Sequence, residues 1–270
     1  MILHETDTFR WYSFALFDAL PGVVSFVTTR GAAVAGNPFS ADNLGEYTDD
    51  DPGRVAANRQ RLHLALGFDR LAAPHQVHGT GVAVVTDDWL DAPAAVWHER
   101  LEGVDAVATH CPGVAVAVST ADCVPVLLFD SESRACAAVH AGWRGMAAHI
   151  IRASVEAMQA RYGTQPARLY AAVGPSIGPD RFEVGDEVVE SFLAAGFDES
   201  AVVRRYPSQR PHIDLWAAAV EELTACGVEL EHIEVAGLCT REHSDEFFSA
   251  RALGVRSGRF LTGVYCRPLD

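Results

Sequence analysis

Cysteine is scarce and scattered in this sequence: Cys111, Cys123, Cys136, Cys226, Cys239 and Cys266 are the only six among 270 residues, and no CxxC pair occurs. That spacing excludes a disulfide scaffold and a zinc ribbon, and leaves each cysteine, taken alone, an ordinary small buried residue. Methionine is rarer still, at three residues. No stretch approaches the ~18 consecutive apolar residues of a membrane span. The opening MILHETDTFRWYSFALFDALPGVV has no basic n-region and carries acidic residues early, so a cytoplasmic location is expected. Low-complexity tracts, linkers and repeats of solenoid length are all missing. Positive charge is also in deficit, with a formal net charge of −15, which argues against nucleic acid or an anionic membrane as partner. A local cluster of arginines would still admit an anionic substrate. Oligomeric state is left open.

What is present describes a globular chain, 49% hydrophobic and 21% charged, long enough for a substantial core. Residues 23–30 (VVSFVTTR) read as a strand, and the Gly/Ala/Asn/Pro-rich stretch 31–45 as a loop. Asp51-Pro52 supplies an N-cap and a first-turn proline for a helix to about Leu66, stopped by Gly67. Short β-like runs follow at 82–87, 104–109, 114–120, 124–130 and 134–140. Residues 145–162 give the longest helical pattern, with Ile150, Val155 and Met158 on its apolar face and Gly163 at its end. A strand at 168–174, helices near 186–195 and at 214–226 and a strand at 233–237 complete the pattern. A strand-dense middle flanked by helices, with no boundary signal, predicts one α+β (mixed α/β) domain over residues 1–270, its mixed sheets flanked by helices.

The chemistry is concentrated in STADCVPVLLFDSESRACAAVHAGWRG, residues 119–145. Cys123 stands at the mouth of one apolar run and His140 at the end of the next. Upstream, APHQVHGT contributes His75 and His78 in a loop. Strand-end and loop histidines with one cysteine, drawn from separate segments, suit a zinc site with an open fourth position. The same residues also admit a metal-free Cys–His nucleophile pair or ordinary packed side chains, because the separations match no local zinc motif. Arg144, beside a helix start, and Arg30, at a strand end, are candidates for holding an anion. Asp122 is the acid nearest Cys123, a proton shuttle or a support for the cysteine. Asn43, Gln76 and Ser249 are candidate polar contacts to a substrate.

The segments HQVHG, TADCVPVLL and VHAGWRG, in this order and spacing, closely resemble the multicopper polyphenol oxidase or laccase-domain family, the YfiH- and YlmD-like purine nucleoside phosphorylases. The likeness continues through VTTRG (27–31), DNLGEYTDDDPGRVAANRQRL (42–62), GVDAVAT, VGPSIGPDRFEVG (173–185), HIDL, LCT, FFSAR (247–251) and SGR (257–259). The resemblance implies a single zinc held by His78, Cys123 and His140, with copper as the other candidate ion, and leaves His75 outside the ligand set. It implies phosphorolysis of adenosine, inosine and S-methyl-5′-thioadenosine, so that purine nucleosides and phosphate are the expected partners, together with deamination of adenosine. Laccase chemistry finds little support in the residues, since one His/Cys/His set and three methionines cannot hold a blue-copper centre and a trinuclear cluster. Two stretches depart from the family pattern. GPDRFEVG has Asp180-Arg181 where relatives commonly carry two cysteines, and FFSARALG replaces the usual FFSYRRDG, losing a tyrosine and an arginine. Arg251, Arg256 and Arg259 are the arginines available to compensate.

Overall fold

The computed structural model describes residues 1–268. Two six-stranded sheets lie face to face. The first runs Ile2–Glu5, Arg10–Ser13, Val23–Thr28, Phe260–Cys266, Val114–Thr120 and Arg70–Ala72, antiparallel except for its last pair. The second runs Ile233–Val235, Leu169–Val173, Val124–Asp130, Cys136–Ala141, Ala106–Thr109 and Val82–Val85, with parallel pairs only at its two edges.

Side-chain alternation along the central strands explains the layering. Leu127 and Phe129 point toward Val116, Val118, Phe260 and Val264 of the opposite sheet. Val124, Val126 and Leu128 point the other way, into a core closed by Ile151, Val155, Phe192, Ala219 and Leu223 from three helices. On the far side of the first sheet, Leu62 and Leu66 of the helix Pro52–Leu66 cover Phe26, Ala115, Ala117 and Leu261. The order of layers is helix, sheet, sheet, helices. Because both faces of these strands are covered, Val114–Thr120 and Val124–Asp130 read as nearly continuous apolar runs.

Local signals account for most element boundaries. Asp51 caps its helix by accepting from the Arg54 N–H at 2.8 Å, and Gly67 ends it in the left-handed conformation at φ 75°. The mixed α/β class expected from the sequence is the one observed, and each strand that the sequence predicts falls within two residues of its expected place, while Arg70–Ala72, Val203–Arg204 and His212–Ile213 were not anticipated.

The long helix at 145–162 needs correction. It is two helices, Trp143–Ala147 and Ile150–Tyr162, separated by His149 at φ 63°. Met146 on one side of the break and Ile150 and Ile151 on the other enter the same core, so the apolar period passes through without a mark. The amino-terminal hairpin and the strand Phe260–Cys266 have no counterpart in the sequence reading. Gly263 sits mid-strand there because a Cβ would stand 2.7 Å from both the Ala117 Cβ and the Val116 carbonyl oxygen.

Candidate metal centre

The register of one hairpin brings two of the three expected ligands together. Strands Val124–Asp130 and Cys136–Ala141 pair with Pro125 opposite His140 and Val124 opposite Ala141. Cys123, one residue before its strand, therefore faces the end of the partner strand. The chain reaches it from Val114–Thr120 of the other sheet through Ala121 and Asp122, a crossover tight enough to put Asp122 at φ 91°. Such a conformation is uncommon for a residue with a side chain, though aspartate tolerates it better than most.

His78 arrives from a loop, fixed at two points. Gln76 binds the backbone of Ser119, donating to its carbonyl at 2.9 Å and accepting its N–H at 2.8 Å. The His78 backbone is left-handed, at φ 61°. The N–H groups of Val77, His78 and Gly79 converge on the carboxylate of Asp105 at 3.3, 2.8 and 2.7 Å. The same fully buried carboxylate lies 2.8 Å from Nδ1 of His140, which leaves Nε2 as that ring's free ligand atom. Burial opposes the charge on Asp105, but the His140 hydrogen bond and the loop N–H groups outweigh it, and its pKa is lowered. Asp105 thus orients one histidine and anchors the loop of the other.

The ligand atoms of His78, Cys123 and His140 all lie within 4.8 Å of one another. The Cys123 Sγ is 3.9 Å from Nε2 of His78, and the two imidazoles meet edge to face at 4.8 Å between centroids. Burial opposes ionisation of Cys123, yet His140 and His78 prevail and bring the thiol down to about 6. For His140, burial is likewise outweighed by the thiolate and Asp105, which raise it to about 9. Two imidazoles and a thiolate form a donor set suited to a borderline-soft ion such as zinc, and the site is open on the His78 side. The fit extends to Gly142, where a Cβ would stand 2.8 Å from Cδ2 of His78 and 3.1 Å from the Cys123 Sγ. Gly142→Ala is accordingly expected to lower metal affinity by at least about tenfold through displacement of His78, a change that metal titration against a competing chelator will measure.

The three residues share a cavity of about 370 Å³ with Gly45, Tyr47, Thr48, His75, Gln76, Ser119, Thr120, Ala121, Ala250, Val255 and Arg259. Tyr47 and His75 stack at 3.9 Å between ring centroids to form a flat wall, and His75 Nδ1 is 2.6 Å from Glu102. Ala250, which stands where the family pattern has tyrosine, also lines the cavity.

Of the candidate polar and anion contacts Arg30, Asn43, Gln76, Asp122, Arg144 and Ser249, Gln76 lines the cavity. Arg144 is exposed, its guanidinium 4.2 Å from the ring of Trp143. Arg30 is buried and committed to Ser40 Oγ and the Ser244 carbonyl. Asn43 organises the 43–50 loop, donating to Thr48 Oγ1 and Asp50 while accepting the N–H groups of Gly45 and Arg259. Ser249 caps the short helix Ala250–Leu253. Asp122 accepts from Thr240 Oγ1 at 2.6 Å and the Arg251 N–H at 2.7 Å, so both of its oxygens are engaged. Arg181 pairs with Glu242, and Arg256 with Asp49. Asp105 and Gly142 went unrecognised as site residues in the sequence, although Asp105 lies in the quoted GVDAVAT segment; of the three arginines named there as available to compensate, Arg259 is the one that lines the cavity.

A His₂Cys cluster able to hold a metal ion and open to a cavity thus stands in a two-sheet sandwich between helical layers. Residues 24–267 match the family described as multi-copper polyphenol oxidoreductase laccase, and the chain belongs to that family. It is 38% identical over 258 residues to a purine nucleoside phosphorylase of Bacteroides thetaiotaomicron, covering 94% of this chain and 96% of that one. It is 44% identical over 250 residues to adenosine deaminase RL5 from an unknown prokaryotic organism, covering 92% and 95% of the two chains. The crystal structure of YlmD from Geobacillus stearothermophilus superposes with a TM-score of 0.88 at 32% identity, over 99% of each chain.

Proposed function

We propose that this protein is a zinc-dependent purine nucleoside phosphorylase that takes adenosine, inosine and S-methyl-5′-thioadenosine to base and sugar 1-phosphate, and that also deaminates adenosine. The observation that carries this reading is the convergence of His78, Cys123 and His140 on the wall of one nucleoside-sized cavity. The names of the relatives, phosphorylase and deaminase, support it.

Zinc bound there supplies Lewis acidity within reach of a substrate. The protein's own groups do the rest. Asp105 holds His140 in the tautomer that leaves Nε2 free, and keeps the His78 loop in place. The Tyr47–His75 stack offers a π-face against which a purine can lie. Gln76, held by Ser119 through its carbonyl oxygen and one of its two amide N–H donors, lines the cavity with the second N–H left for a substrate. Asp122, tied to Thr240 and Arg251, supports the turn that presents Cys123.

A copper-dependent phenol oxidase is the second reading, prompted by the family's description. Among the described residues, the other group able to gather around an ion is Glu229, Glu231 and His232, which has no cysteine and only one imidazole. Met146 and Met158 are committed to the helix-side core. This inventory favours one zinc over a set of coppers. Metal analysis of the purified protein, alongside assays with inosine and with a phenolic dye, tests the choice. About one zinc per chain with phosphate-dependent hypoxanthine release is expected. Stoichiometric copper with rapid phenol turnover would reverse it.

A further inference from the structure

The chain contains no lysine, so every side-chain cation other than histidine is an arginine. One arginine, Arg259, lines the metal cavity. Three features hold it there. Its backbone N–H donates to Asn43 Oδ1 at 2.8 Å. Its stem lies against Gly45, where a Cβ would come within 2.8 Å of the Arg259 Cβ. Its Nη1 donates to the carbonyls of Ser257 and Gly258 at 2.6 and 2.9 Å, and its Nη2 to that of Val255 at 3.2 Å.

That arrangement leaves a specific remainder. A guanidinium has five N–H donors, and three are used. The other two, Nε–H and one hydrogen of Nη2, meet no partner among the described residues. Together they form the edge that binds two oxygens of one oxyanion side by side. No carboxylate lies within ion-pair distance of Arg259 among the described residues, and the nearby acid, Asp122, has both oxygens engaged elsewhere. Burial lowers the pKa of Arg259, against the raising influence of Cys123 and Asp122. A half-buried cation fixed by neutral carbonyls, with no carboxylate in ion-pair contact, is suited to receive an anion. A second observation points the same way. Thr120, which is 1% exposed, lines the same cavity, and its hydroxyl has no hydrogen-bond partner among the described residues.

We infer that the free edge of Arg259, with the Thr120 hydroxyl, is the orthophosphate site of this cavity. The inference deepens the phosphorylase reading and moves the anion from Arg144, which is exposed and outside the lining, to Arg259. It also gives Asn43 a role: the side chain that orders the 43–50 loop positions the backbone of the anion-binding residue.

The test is equilibrium dialysis of labelled orthophosphate against the metal-loaded protein, with wild type, Arg259→Gln, Arg259→Lys and Arg144→Ala. Metal content and circular dichroism are recorded for each. Arg259→Gln is expected to weaken phosphate binding at least tenfold, since each charge-assisted contact to a buried anion carries roughly a ten- to hundredfold effect. Arg259→Lys, which keeps the charge but lacks the two-donor edge, is expected to fall between Gln and wild type. Adenosine 5′-monophosphate serves as a second probe, and equal or tighter binding of it through Arg259 would replace free phosphate with a nucleotide phosphate and overturn the assignment. So would phosphate binding that survives Arg259→Gln within twofold with metal intact, or that is lost on Arg144→Ala instead. Phosphate that binds through Arg259 without any hypoxanthine release from inosine leaves the site standing and ends the phosphorylase reading. Phosphate-dependent hypoxanthine release that is indifferent to Arg259→Gln does the reverse.

Discussion

His140→Ala is expected to lose bound metal and both nucleoside activities together, with kcat/KM falling by roughly three orders of magnitude, or about 4 kcal/mol of transition-state stabilisation. The protein should remain folded. His140 is one of the three proposed ligands and the one with the least freedom, buried at 3% exposure and held by Asp105. Its removal leaves His78 and Cys123, and two ligands rarely retain a zinc ion against chelators. The fold is expected not to depend on the ion, because three apolar clusters that include none of His78, Cys123 and His140 hold the sheets and helices together. Each large side chain in them contributes ~1.5–3 kcal/mol on burial. Circular dichroism and metal analysis on the same sample separate the two outcomes. Loss of folding along with metal would mean that the ion is structural, as in small zinc domains.

Asp105→Ala is expected to be the more damaging change to stability, though it touches no substrate. The carboxylate is fully buried and satisfies three backbone N–H groups and one imidazole. Its loss takes away the one acceptor that those part-buried donors and the buried imidazole share, at a cost of about 3–5 kcal/mol. With the His78 loop released and the His140 ring free to turn, metal affinity should drop ~10–100-fold. Asp105→Asn retains one accepting oxygen but turns an N–H₂ toward other N–H groups, so it should recover stability in part and metal affinity less. Thermal unfolding of the metal-free protein and chelator titration of the loaded one give the two numbers independently. Unchanged affinity in both variants would show that Asp105 merely fills space.

The convergence of Cys123 and His140 was within reach of the sequence. VPVLLFD and CAAVHA are apolar runs joined by the polar turn SESRA, and a hairpin through that turn brings Cys123 beside the end of the partner strand. Their separation of 17 positions matches no local zinc motif because the sheet, and no local helix or knuckle, makes the contact. His78 was different. Nothing in PHQVHGT says that its backbone turns left-handed to deliver three N–H groups to a carboxylate 27 residues onward. Family resemblance supplied that ligand where periodicity could not.

Arg144 and Arg259 show the same limit from the other side. Arg144 follows the proposed ligand His140 closely in sequence, yet it is the second residue of the five-residue helix Trp143–Ala147 and its side chain lies over Trp143. Arg259 is 119 residues from His140 in SGRF, and it reaches the cavity only because the strand after it, Phe260–Cys266, pairs with Val114–Thr120. That strand carried a mid-strand glycine and gave no clear signal. Without the strand there was no way to place the arginine. In both cases distance along the chain was a poor guide, and sheet pairing decided which cation faces the metal ligands.

Phosphorus-31 resonance of the metal-loaded protein with inosine and orthophosphate tests the proposed activity most directly. Loss of the orthophosphate signal should be matched, mole for mole, by a sugar 1-phosphate ester signal and by hypoxanthine. Hypoxanthine released with free ribose while orthophosphate stays constant, or no hypoxanthine at all from protein carrying one zinc per chain, would contradict it.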